Sequence, residues 1–234
     1  VSEFKYAIVG DKFLNANAQT LRDLTGLGAD PWQLVASARG LAFFEEPGSV
    51  RRQGIYYADG VVEDLAHVYL LSFPYGLPRI MSGYAFDRGS GEGRDAGPPS
   101  DAEGTSLRIY EGDAPRCAAS RASAVVGEFV CEHRSGWLTK LVSFRKHAAG
   151  ARVTRLWDNG RNQLAFAREG KGFVAINREQ DVLDQTLLTG LPAGDYCNVL
   201  EDACADVVRV EADGRARVFV AAMSALVLST AVRP

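Results

Sequence analysis

The sequence predicts an α/β part over residues 1–150 followed by an all-β part over residues 151–234. Three observations predict it. Up to Gly150, short apolar runs bounded by turn residues alternate with stretches of helical period, the pattern of βα units on a parallel sheet. Beyond Gly150 only short strand-like runs occur, separated by turn signals such as Asp213-Gly214, which reads as an antiparallel β-domain. Between them, residues 85–130 are rich in Gly, Ser, Asp and Pro, and a loop of that length is either functional or disordered.

The elements follow in order. Residues 1–6 read as a short strand and residues 18–27 as helical. Residues 40–46 are apolar and end at Pro47-Gly48, so they read as a buried strand closing on a turn. Residues 60–73 read as a helix with Val61, Val62, Leu65, Val68 and Tyr69 on one face. Residues 79–84 form another short strand. The helix after the long loop carries Trp137, Leu138, Leu141, Val142 and Arg145 at spacings of one, three and four, which share a face. Leu164, Phe166, Phe173, Val174 and Ile176 lie in two strands around a turn at 168–172, a hairpin. Strands at 217–220 and 225–229 end the chain. The β-part can bury its sheets against each other, so residues 151–234 are expected to fold alone and residues 1–150 are not.

Composition narrows the function classes. The chain is 47% hydrophobic with a net charge of −3, and its charges of both signs are interspersed. This gives no electrostatic reason to expect nucleic acid or a membrane surface, and no apolar run approaches the roughly 20 residues that span a bilayer. Cys117 and Cys131 bracket part of the loop, and Cys197 and Cys204 lie in the β-rich end. They are two local disulfides of an oxidising compartment or four free thiols of the cytosol. His67, His133 and His147 are not at metal-ligand spacing, so no metal site is expected. No Ser/His/Asp motif, phosphate loop or Cys-x-x-Cys pair occurs.

A set of ordered motifs says more. Val130-Cys131-Glu132-His133-Arg134 is followed by Phe144-Arg145, Trp157-Asp158-Asn159-Gly160, Asn162-Gln163-Leu164-Ala165-Phe166-Ala167-Arg168 and Gly172-Phe173. Phe73-Pro74-Tyr75-Gly76 and Met81-Ser82-Gly83-Tyr84 precede them, and Thr189-Gly190-Leu191-Pro192-Ala193-Gly194-Asp195-Tyr196-Cys197 follows. In this order they resemble the animal-type secreted α-amylases, whose motifs are W-P-Y-G, M-S-S-Y, V-C-E-H-R, F-R-N, W-W-D-N-G, N-Q-x-A-F-G-R, G-F-x-x-x-N and T-G-L-P-A-G-T-Y-C. The resemblance covers nearly the whole chain. It implies that residues 1–150 are the last three βα units of a partial (β/α)8 barrel (a TIM barrel) and that residues 151–234 are a Greek-key antiparallel β-domain. The other barrel strands are then expected from an upstream part or a partner. The resemblance also favours disulfides Cys117–Cys131 and Cys197–Cys204, and an extracellular, secreted protein.

The same resemblance sets expectations for the site. Retaining glycoside hydrolysis needs a nucleophile and an acid/base carboxyl group. The resemblance places both upstream of Val1, with most of the calcium ligands, so no cofactor is expected in this chain. Glu3 lies in a segment that follows the acid's own motif and reads as a structural carboxylate. Phe43-Phe44-Glu45-Glu46-Pro47-Gly48 stands where the family has F-V-D-N-H-D. Gly48 therefore replaces the third catalytic carboxylate and Pro47 a sugar-binding His; neither side chain can bond a sugar hydroxyl. Glu45 and Glu46 are the substitutes at hand. Arg145 matches the chloride-binding Arg of F-R-N, and Glu46 stands at a second chloride position, so Glu46 is expected to pair with Arg145 in place of chloride. Asp95, in a segment like the family's rim loop, and Tyr84 are candidate substrate-binding residues; Trp157 is a sugar platform or core. The leading function is the C-terminal part of an α-amylase that hydrolyses internal α-1,4-glucosidic bonds of starch- or glycogen-like glucans, inactive as this chain alone. Its partners are then an α-glucan polysaccharide, in the intact parent, and the missing N-terminal barrel half. The alternative is a non-catalytic amylase-like module that binds glucan or protein.

Overall fold

The computed structural model describes residues 1–26, 33–45, 50–89 and 96–234. Strands β1 (Ser2–Glu3), β2 (Leu41–Ala42) and β3 (Leu77–Pro78) form a parallel sheet in that order. Strands β1 and β2 are shorter than the sequence suggests, and β3 lies just before the stretch expected as a strand at 79–84. After Glu3 the backbone coils into a 3-10 turn, Phe4–Ala7, and continues as helix α1 (Ile8–Leu14). Glu3 holds this switch, because its carboxylate accepts from the backbone N–H of Lys5 at 3.1 Å and of Val35 at 2.6 Å. Helix α1 has too few turns for a clear period, although Val9 and Phe13 are fully buried. The helical stretch expected at 18–27 is a 3-10 turn, Leu21–Gly26. The strand expected at 79–84 is not one; Tyr84 makes an isolated bridge with Phe129 instead. Strands β4 (Tyr110–Glu111) and β5 (Ala114–Pro115) form a small hairpin in the long loop. The Cys117–Cys131 disulfide closes the segment that follows.

Helix α2 (Val61–Ser72) is the centre of the α/β part. From Leu65 to Ser72 every residue is buried, so the single apolar face expected from sequence is too narrow. Helix α1, helix α3 (Gly136–His147) and the β-domain all pack around α2, and a helix enclosed on several sides needs no solvated face in its inner half. In α3 the buried stripe is Leu138, Leu141 and Phe144, while Val142 is exposed.

Two arginines finish α2. Its last four carbonyls lack intrahelical partners. That of Tyr69 accepts from the Phe73 N–H at 2.9 Å. Arg145 Nη1 donates to Leu70 at 3.2 Å, Leu71 at 3.3 Å and Phe73 at 2.7 Å. Arg168 Nη1 donates to Ser72 at 2.6 Å. Positive charge at this end also complements the helix dipole.

The remainder is antiparallel. Strands β6 (Val153–Asp158), β7 (Gln163–Arg168), β8 (Gly172–Asn177) and β13 (Ser224–Ser229) form a sheet in the order β13-β8-β7-β6. Strand β9 (Leu183–Leu188) pairs with β12 (Arg215–Val220), and β10 (Gly194–Cys197) with β11 (Val207–Val210). Every residue of β7 and β8 is buried, so both faces of the sheet are covered at these two central strands. Ala165, Phe173 and Leu228 meet Leu183, Tyr196 and Val218 in one core. Leu164, Phe166, Val174, Ile176 and Val227 share the other core with Tyr69, Phe73 and Phe144 of the α/β part. The expectation that residues 151–234 bury their sheets wholly against each other therefore holds for one face only.

Gly172 lies where these parts touch. A Cβ there would fall inside van der Waals contact of the Phe144 ring. Gly172→Ala is expected to cost about 1–3 kcal/mol by overpacking, read as a lower urea midpoint with an unchanged slope.

Candidate functional site

Glu45 follows β2 and the buried Phe43-Phe44 pair. Glu63 and His67 are four apart on α2 and so project from one side of it. The fold brings the three together: one ligand atom from each lies within 4.8 Å of the others. All are inaccessible, with exposures of 5%, 0% and 1% for Glu45, Glu63 and His67. His67 Nε2 is 3.3 Å from Glu45 Oε2, but without the alignment of a hydrogen bond. The ring packs 4.8 Å from that of Phe44 and 6.4 Å from that of Trp137, between centroids.

Surrounding groups hold the outer oxygens. Arg121, from the long loop, donates to Glu63 Oε2 at 2.7 Å and also pairs with Asp64. The Met81 N–H donates to Glu45 Oε2 at 3.3 Å. Glu132 accepts from the Gly83 N–H at 2.9 Å. Burial pushes the Glu45 carboxyl up to about 7, against the influence of the neighbouring Glu63 carboxyl and together with the charge of Glu132. Burial likewise raises Glu63 well above its ordinary value, and it lowers His67 although Glu63 opposes that shift. Glu63, His67, Glu132 and Trp137 line an open cavity of about 400 Å³. Chemically, such a cluster can share a proton or hold a cation.

The residues expected from sequence are distributed differently. Glu46, Pro47, Gly48 and Asp95 lie outside the described residues, so the Glu46–Arg145 pair does too. Glu45 is described, and its carboxylate is buried against α2. Tyr84 is half-buried, and its hydroxyl accepts from Arg51 Nη2 at 2.6 Å. The same nitrogen reaches the Ala96 carbonyl at 2.9 Å. Arg145 adds bonds from Nη2 to the carbonyls of Tyr75 at 3.2 Å and Gly76 at 2.6 Å. With those of Leu70, Leu71 and Phe73, five backbone carbonyls accept from its two terminal nitrogens. Trp157 is partly buried against the second core. His133 is exposed and bonded to Ser82, and His147 is partly buried and bonded to Thr230. Both expected disulfides, Cys117–Cys131 and Cys197–Cys204, are formed. Sequence reasoning missed Glu63 and His67 as a pair. The available signal was their spacing of four on a helix otherwise apolar in its second half.

A short parallel sheet joined through a buried helix to an antiparallel β-domain is an arrangement shared with solved α-amylases. α-Amylase I of Eisenia fetida matches 98% of this chain and 49% of its own, with a TM-score of 0.83 and 27% identity. A mutant of that protein in complex with maltohexaose matches with a TM-score of 0.82 and 27% identity, over 98% of this chain and 49% of its own. Residues 157–231 match the family described as the α-amylase C-terminal all-beta domain. The α-amylase of Oryzias latipes is 32% identical over 237 residues, 94% of this chain and 44% of that protein. Pancreatic α-amylase 2a5 of Mus musculus is 32% identical over 233 residues, 92% of this chain and 44% of that protein. An α-amylase-related protein of Drosophila melanogaster is 35% identical over 209 residues, 88% of this chain and 39% of that protein. The chain is similar to animal α-amylases along about nine-tenths of its length and corresponds to their C-terminal portion, whose all-beta domain residues 157–231 match. It spans less than half the length of these curated relatives.

Proposed function

We propose that this chain is the C-terminal part of an extracellular α-amylase acting on internal α-1,4-glucosidic bonds of starch- or glycogen-like glucans, and that the chain alone is inactive. The observation that carries this reading is the relation to the Oryzias latipes α-amylase along 94% of the chain. The parallel order of β1, β2 and β3 supports reading residues 1–150 as the last three βα units of a (β/α)8 barrel, and residues 151–234 as a Greek-key domain. Phe4 and Leu77, 61% and 69% exposed beside or on this sheet, are apolar surface that further barrel strands would cover. Two disulfides fit secretion, and no helix among the described residues is long and apolar enough to cross a membrane.

Two carboxyl groups across the scissile bond are the minimum for retaining hydrolysis. By motif register neither belongs to this chain, and the third position is Gly48. A non-catalytic amylase-like module that binds glucan or protein is the second reading, and the Gly48 replacement favours it. The purified chain incubated with soluble starch is expected to release no reducing sugar above a buffer blank; release would overturn the inactivity. Assay of the longer parent protein separates the two readings. Starch hydrolysis by the parent supports the amylase, whereas retention on glycogen without hydrolysis supports the module.

A further inference from the structure

We propose that Glu45, Glu63 and His67 form a binding site for one divalent transition-metal ion of the zinc type, which clips the end of β2 to helix α2. Each residue offers a ligand atom, and the three atoms lie within 4.8 Å of one another. Around a tetrahedral ion with bonds near 2.1 Å, ligand atoms stand about 3.4 Å apart, so modest side-chain adjustments close the site. The independent observation is a set of buried atoms with nothing to bond. Glu45 Oε1, Glu63 Oε1 and His67 Nε2 are all without a hydrogen-bond partner, and all three residues are more than nine-tenths buried. Unpartnered carboxylate oxygens are costly in a dry interior. One shared proton can bridge only one pair of these groups, whereas one cation can be held by a ligand atom from each of the three residues.

Charge and supporting contacts agree. Two carboxylates with a neutral imidazole carry two negative charges, matched by a divalent ion. The Arg121 guanidinium and the Met81 N–H engage the second oxygens of Glu63 and Glu45, the kind of outer contact that orients metal ligands. Imidazole plus carboxylate selects zinc and its neighbours; calcium and magnesium prefer all-oxygen shells of six or more ligands. The cavity of about 400 Å³ beside Glu63 and His67 provides a route of entry.

The test uses the 234-residue chain, stripped of metal with a chelator and titrated with Zn²⁺, and in parallel with Co²⁺, Ca²⁺ and Mg²⁺. One Zn²⁺ per chain is expected, with a visible Co²⁺ absorption band and much weaker binding of Ca²⁺ and Mg²⁺. Glu63→Gln and His67→Gln should each weaken Zn²⁺ binding at least about tenfold. A double variant, His133→Ala with His147→Ala, should keep the stoichiometry, which separates this site from adventitious binding at the other histidines. Circular dichroism in the same buffers follows folding, and a chain that gains native signal only on adding Zn²⁺ supports the proposal. A folded chain that takes up no Zn²⁺ overturns it and leaves a proton-sharing triad. Equal Zn²⁺ affinity in the chain and its Glu63→Gln and His67→Gln variants, or binding of Ca²⁺ alone, overturns it as well.

Discussion

Arg168→Ala is expected to lower the free energy of unfolding by about 4–6 kcal/mol, a large share of the roughly 5–15 kcal/mol typical of a domain. Arg168 is 2% exposed. Its guanidinium donates to the carbonyls of Ser72 at 2.6 Å, Ala148 at 2.6 Å and Ala151 at 3.1 Å. These close the end of α2, the end of α3 and the connection between the two parts of the chain. Truncation leaves the buried Ser72 carbonyl and the half-buried Ala151 carbonyl without donors, each costing about 1–3 kcal/mol, and removes a charge-assisted bond from Ala148, whose carbonyl keeps the Ala151 N–H at 3.1 Å. Burial, with the neighbouring Arg145, lowers the pKa of Arg168 to about 10, so the group stays charged at neutral pH. Arg168→Lys keeps the charge but not the planar set of donors, and an intermediate loss is expected. Urea titration of both variants measures this, and a loss below about 1 kcal/mol for Arg168→Ala would mean that water satisfies the carbonyls.

Excision of residues 151–234 is expected to give a piece far less stable than the same residues in the intact chain. Leu164, Phe166, Val174, Ile176 and Val227 are each 0–1% exposed and pack into the core shared with α2 and α3. At about 1.5–3 kcal/mol for each buried side chain, the lost burial is on the order of 10 kcal/mol, comparable to the whole stability of a domain. The rings of Tyr69 and Phe73 stand edge-on to Phe166, with centroids 6.1 and 5.6 Å away, and are lost with the rest. Thermal unfolding followed by circular dichroism, with a hydrophobic dye, reads the outcome. A cooperative transition at the temperature of the intact chain, without dye binding, would show that the β-domain covers this face by itself.

The sequence by itself determined the order of the parts and much of their local form. The change of period near Gly150, the β7–β8 hairpin around the turn at 168–172 and the helix of Trp137 and Leu138 were legible, because each depends on residues near one another in the chain. The ordered motifs also led to the family, and its disulfide pattern to the two cysteine pairs. Only the tertiary structure decided what surrounds α2. The apolar face read from the sequence leaves out Glu63 and His67, yet both are buried because Glu45, Arg121 and Trp137 arrive from distant positions. Likewise, nothing local to Arg145 or Arg168 signals that both close the end of one helix. Carbonyl groups have no sequence signature, and their need for donors appears only when the chain has folded around them. Burial and hydrogen-bond partnership are properties of neighbours brought together by the fold, which is why the buried Glu45–Glu63–His67 cluster emerged from the structure and the family from the sequence.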